Sequence, residues 1–119
     1  MKIGQSAEVT RSFNSEDVSR YVTLGGAPMP AGVLPEPLVG ALFSYLLGVE
    51  LPGIGTNYLK QESEYLLPVP LDTPLTARVE ITRLRPEKHL CDLSTVCTGP
   101  DGTVYCRGRA LVYTEDVEQ

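Results

Sequence analysis

One carboxylate stands at the head of the longest uncharged apolar run in this 119-residue chain: Glu36, followed by PLVGALFSYLLGV over residues 37–49. A glutamate at the start of a helix can serve as an acid–base group, its ionisation set by burial and by the helix dipole. It can equally complement that dipole and do nothing more. His89, the only histidine, follows Arg83-Leu84-Arg85-Pro86-Glu87-Lys88, far along the chain from Glu36, and reads as an exposed turn residue. Ser44 has no nucleophile-elbow pattern around it, so its hydroxyl is expected to bond to the preceding helical turn. Cys91, Cys97 and Cys106 lack metal-ligand spacing and are expected in the core as small hydrophobes.

Positioning Glu36 falls to the elements around it. Gln5–Phe13 alternates weakly as a strand. Asn14-Ser15-Glu16-Asp17 offers an N-cap and an acidic first turn for a short helix through Thr23. Gly25, Gly26, Pro28, Pro30, Gly32 and Pro35 then forbid regular structure until Pro37, which suits the first turn of a helix. From Leu38 to Val49 apolar residues cover nearly every face, which predicts a helix surrounded on all sides, with Gly40 and Gly48 admitting close neighbours. In so short a chain a sheet curled around the helix does this most economically.

Strand signals follow at Thr56–Leu67, Thr76–Leu84, His89–Thr98 and Thr103–Thr114, the last two joined by the turn Gly99-Pro100-Asp101-Gly102. Ala77, Val79 and Ile81 should face opposite to Arg78 and Glu80, and in the last strand Val104, Cys106, Gly108, Ala110 and Val112 should make the core face. The result is one α+β domain spanning residues 1–119. A net charge of −5 with no basic cluster argues against nucleic acid and anionic membranes. No apolar run reaches the roughly 20 residues of a membrane span. The first residues hold no apolar signal segment, which predicts a cytoplasmic protein.

This order of elements is that of the hotdog fold, an antiparallel sheet wrapped around a long central helix, and the chain resembles the MaoC-like dehydratases, which include the (R)-specific enoyl-CoA hydratases. Pro52-Gly53-Ile54-Gly55 is similar to the Pro-Gly-x-Gly segment after that family's central helix. Tyr65-Leu66-Leu67-Pro68-Val69 is similar to its Phe-x-x-Pro-Val, with Tyr for Phe, and Asp72 falls where Gly-Asp is usual. The start of the first helix, Phe13–Val18, is alike as well.

The resemblance implies a homodimer or higher oligomer that binds an acyl thioester of CoA or acyl carrier protein in a tunnel at the subunit junction, within fatty-acid metabolism. The thioester is substrate or ligand, and no cofactor is implied. Hydration in that family uses an Asp and a His in a Gly-Asp-x-Asn-Pro-x-His loop before the central helix, with a backbone N–H polarising the thioester carbonyl. Along that motif this chain has Ala27 at the Asp position and Gly32 at the His position, and Pro35-Glu36 replaces the His-Gly pair at the helix start. Glu36 is the candidate acid–base group. Leu38, Asn57, Tyr58, Lys60 and Gln61 are candidate tunnel residues, and Arg83, with Arg85 and Lys88, is a candidate for the phosphates of a CoA. Two classes of function remain open: an acyl-thioester enzyme, either a hydro-lyase or a thioesterase, and a non-catalytic structural or regulatory hotdog subunit.

Overall fold

The computed structural model describes residues 1–117. Strand β1 (Ser6–Arg11) leads to helix α1 (Ser15–Thr23), then to helix α2 (Glu36–Tyr45), which runs on as a π turn over Leu46–Glu50. Strands β2 (Asn57–Tyr65), β3 (Leu75–Arg85), β4 (Leu90–Thr98) and β5 (Val104–Tyr113) complete the chain. They form one antiparallel sheet in the order β1-β3-β4-β5-β2.

The expected local signals operate where they were read. Asn14 caps α1 in a reciprocal box: Asp17 N–H donates to Asn14 Oδ1 at 3.0 Å, and Asn14 N–H donates to Asp17 Oδ2 at 2.9 Å, satisfying two donors that the helix leaves orphaned. Pro35 and Pro37 bracket the start of α2, where a fixed φ and a missing N–H cost nothing. In β3 the alternation is strict as far as Ile81, with Leu75, Ala77, Val79 and Ile81 fully buried and Arg78 and Glu80 on the other face, and a bulge between Ile81 and Arg83 then shifts it by one residue.

Helix α2 and its π turn lie over β3 and β1, laying Val39, Leu42, Phe43, Leu46 and Leu47 against Ala77, Val79, Ile81, Leu93, Ala110 and Val112 in one core. Each Val, Leu, Ile or Phe side chain among them contributes about 1.5–3 kcal/mol by leaving water. Cys91, Cys97 and Cys106 are buried in it.

The helix expected to be enclosed is not. It holds ten residues of α-helix and five of π, and its outer side is open: Ala41 and Ser44 are exposed, Tyr45 is 41% exposed and Val49 51%. A five-stranded sheet of this length curls against one side of a helix only, so the apolar residues of the far side stay uncovered within one chain. Gly40 and Gly48 admit no close neighbour either, since a Cβ built on them has nothing within 4 Å.

Candidate functional site

Register carries side chains across the inner face of the sheet in rows. One row runs Tyr65, Cys106, Cys97, Ala77, Val9; the next runs Ser63, Gly108, Thr95, Val79, Ala7. Gln61 opposes Ala110, and Tyr58 opposes Val112. The inner face is therefore mostly apolar through β1, β3, β4 and β5, and turns polar at β2, the edge strand, where only Tyr65 is not exposed. Gln61 Nε2 donates to Ser63 Oγ at 2.9 Å and to the buried Thr95 Oγ1 at 3.4 Å, and the Tyr58 hydroxyl donates to Gln61 Oε1. Gly108 lets β2 close on β5: a Cβ there would lie 1.8 Å from the Glu62 carbonyl oxygen.

This polar wall meets the start of α2 at one point. The Tyr65 hydroxyl donates to the Glu36 carbonyl oxygen at 3.0 Å. Burial raises the Tyr65 phenol above its ordinary range, with the Cys106 thiol and the Glu36 carboxylate adding to the effect. Burial likewise raises Cys106, with the Glu36 charge adding, against side-chain hydrogen bonding with Tyr65 and Ser63 that lowers it. Phenol and thiol are thus held protonated at neutral pH. They are donors, and the exposed Glu36 carboxylate is the group in this cluster able to accept a proton. Pro37 presents no N–H and that of Leu38 bonds back to the Pro35 carbonyl at 3.1 Å, so the first turn offers fewer free donors to a ligand carbonyl than an ordinary N-terminus.

The path into α2, Leu24–Pro35, is held by the Leu34 N–H bond to the Val69 carbonyl at 2.8 Å and by a bridge between Val33 and Pro70. It carries no ionisable side chain. His89 lies in the β3–β4 turn in a left-handed conformation, φ 54°, its ring edge-on to Tyr113 at 5.9 Å. It is exposed, as expected, and the length of β4, roughly 25 Å, separates it from the row of Tyr65.

The remaining candidates part company. Leu38 lines an apolar groove of about 170 Å³ between β1 and α2 with Val9, Phe13, Leu42 and Tyr45. Asn57 opens β2 opposite Tyr113, away from the inner wall. Tyr58 and Gln61 stand on that wall together, whereas Lys60, expected beside them, points to the outer face, because a bulge between Tyr58 and Lys60 shifts the alternation by one residue. Arg83 is also on the outer face, and Lys60, Arg83, Arg85, Asp92 and Arg109 surround a pocket of about 240 Å³. Lys88 does not line it. A wider concavity, about 590 Å³, is an open trough on the outer face walled by Glu62, Glu64, Arg107 and Arg109, whose exposed ion pairs face solvent and not the start of α2. Among the described residues no cluster of His, Cys, Asp or Glu could hold a metal ion. Sequence reasoning passed over Tyr65, Ser63 and Thr95; the Tyr standing for the Phe of the motif was the available signal for the first.

No protein-family model matches the chain. It is 32% identical to the (R)-specific enoyl-CoA hydratase of Aeromonas caviae, over 94% of this chain and 94% of that one. It is 28% identical to the 3-hydroxybutyryl-CoA dehydratase of Methylorubrum extorquens, over 95% of this chain and 71% of the relative. Among solved structures, the (R)-hydratase of A. caviae involved in PHA biosynthesis superposes with a TM-score of 0.90 at 30% identity, covering 95% of this chain and 96% of the other. With the hotdog architecture already evident in the sheet and its central helix, this extent of likeness places the chain: it belongs to the MaoC-like family of (R)-specific enoyl-CoA hydratases.

Proposed function

We propose that this protein binds an acyl thioester of CoA or acyl carrier protein with the thioester group at the start of α2 and the acyl chain along the inner wall of β2. The working form is a homodimer built on the free edge of β2. Hydration of an enoyl thioester, where it occurs, proceeds without the Asp/His pair usual in the family. The observation that carries this reading is the twelve-residue path Leu24–Pro35, which reaches the helix without one ionisable side chain where the family's acid–base loop belongs. The names of the relatives support the ligand class, and the exposed polar wall supports the junction.

Hydration adds a hydroxyl to the β carbon and a proton to the α carbon. Among the described residues, Glu36 is the carboxylate placed to take a proton from water and return it to the α carbon, while Tyr65 and Cys106, both held protonated, can only donate. Losing one member of an acid–base pair costs on the order of 10²–10⁴ in rate, so turnover here is slow. An unpaired edge strand of nine exposed or half-exposed residues is a template for strand addition. The exposed Tyr58, Leu59, Leu66 and Leu67 on and just after β2 give a second copy apolar surface to bury.

Crotonyl-CoA hydration, measured beside binding of a nonreactive acyl-CoA on wild type and on Glu36→Gln, tests the reading. Binding by both, with slow turnover by the wild type alone, is expected. Binding without turnover in either identifies a non-catalytic subunit, and absence of binding overturns the assignment.

A further inference from the structure

On the outer face of the sheet, opposite to the polar wall, four cations from three strands converge. The register row Arg83, Asp92, Leu111, Lys60 crosses β3, β4, β5 and β2, and Arg85 and Arg109 join it around the pocket of about 240 Å³. At ~30 Å³ per water molecule that volume has room for a pyrophosphate group. Two carboxylates answer the four cations. Glu62 is shared by Lys60 (3.0 Å) and Arg109 (3.1 Å), and Asp92 is held by Arg85 (2.9 Å). Arg83 joins no ion pair among the described residues, and Arg85 Nε is buried without a hydrogen-bond acceptor.

An excess of two positive charges is thus concentrated at one place on a chain whose net charge is −5. Three of the four cations are guanidinium groups, whose planar forks match phosphate oxygens two at a time. Leu111 between them leaves a floor with no competing acceptor on its side chain. A neutral sugar or an amide would leave the charge excess unanswered, and a single carboxylate would answer half of it.

We propose that this pocket is a binding site for a phosphate group of the pyrophosphate or phosphomonoester class. Arg83 is the free anchor, with Lys60, Arg109 and Arg85 as its neighbours. Two sources of that group fit: the phosphate-bearing end of a CoA that reaches the outer face from the subunit junction, which rests on the functional reading above, or a separate small anion, which does not.

Calorimetric titration with inorganic pyrophosphate and with adenosine 3′,5′-bisphosphate at low salt tests the site on wild type, on the Lys60→Gln/Arg83→Gln double variant, and on Arg78→Gln. Arg78 is an outer-face cation away from the pocket, and circular dichroism verifies that each variant is folded. We expect binding by wild type and Arg78→Gln that weakens with added salt, and a loss of about tenfold or more in the double variant. No binding of either anion by the wild type, or equal binding by all three proteins, overturns the site. Competition assigns the source. If the bisphosphate displaces a nonreactive acyl-CoA, the phosphate belongs to CoA, and if the two bind independently it belongs to a separate anion. Binding of either anion without acyl-CoA binding sinks the functional reading and leaves the site standing; acyl-CoA binding without binding of either anion does the reverse.

Discussion

The Tyr65 hydroxyl lies 3.0 Å from the Glu36 carbonyl oxygen, so the last residue of the edge strand is tied to the first residue of the central helix. Between them these residues set the spacing of the mouth from the polar wall. The family motif has Phe at this position, and the extra hydroxyl gives this chain a link that a Phe cannot make.

Tyr65→Phe is therefore expected to fold and to lose about 0.5–1.5 kcal/mol, the net worth of one hydrogen bond, measured as a lower urea midpoint at unchanged m-value. A variant as stable as wild type would show that the bond does not hold the helix start.

Two glycines should respond in opposite directions. At Gly108 a methyl meets the Glu62 carbonyl oxygen at 1.8 Å and the Ser63 Cα at 2.9 Å, both backbone atoms, so Gly108→Ala must push β2 away and cost about 1–3 kcal/mol. At Gly40, inside α2, a methyl meets nothing within 4 Å, and Gly40→Ala should stabilise by about 0.5–1 kcal/mol through helix propensity. Thermal or urea unfolding of the two variants decides both.

Alkaline pH should weaken the fold through its cysteines. Cys91 and Cys97 are fully buried, and burial, the first cause in each, raises the thiols from 9.0 to about 11. A folded pKa above the unfolded one means stability fully present below about pH 9 and lost progressively toward pH 11, at ~1.4 kcal/mol per unit of difference for each group. Urea unfolding at pH 8 and pH 10.5 reads the loss, and a thiol reagent that modified the native protein at pH 8 as fast as the unfolded chain would contradict the burial behind it.

The edge of β2 can be closed chemically. Leu66 N–H bonds to the Tyr105 carbonyl at 2.8 Å, and antiparallel ladders alternate, so the N–H groups of Gln61, Ser63 and Tyr65 point away from β5 toward the free side. Ser63→Pro removes one outward donor and leaves the ladder to β5 intact. The expected outcome by light scattering is a dimer in the wild type and a monomer in the variant; a wild-type monomer would refute the proposed assembly.

Much of the secondary structure was legible in the linear chain because its causes are local. The Asn14 cap needs only Asp17 three residues on, the prolines around Glu36 act on their own backbone, and the alternation in β3 follows from a period of two. The core face of β3, and that of β5 from Cys106 to Val112, were read correctly for the same reason, whereas a bulge opposite Cys97 and Thr98 turns Val104 off that face and sets Tyr105, expected to face out, against the core. What the chain could not disclose was which side of α2 would stay open, since that depends on how far a sheet of this size wraps, and the apolar pattern is silent on it. Nor could it disclose the strand order, which puts β2 at the edge beside β5, or the bulge that turns Lys60 away from Tyr58 and Gln61 and toward Arg83 and Arg109. Glu36 was singled out from its position alone, but its partner Tyr65 is 29 residues away, and a contact over that separation belongs to packing and register. Local chemistry determined the elements and the faces of their strands; tertiary structure decided which side chains share a site, because that sharing is set by the pairing of distant strands.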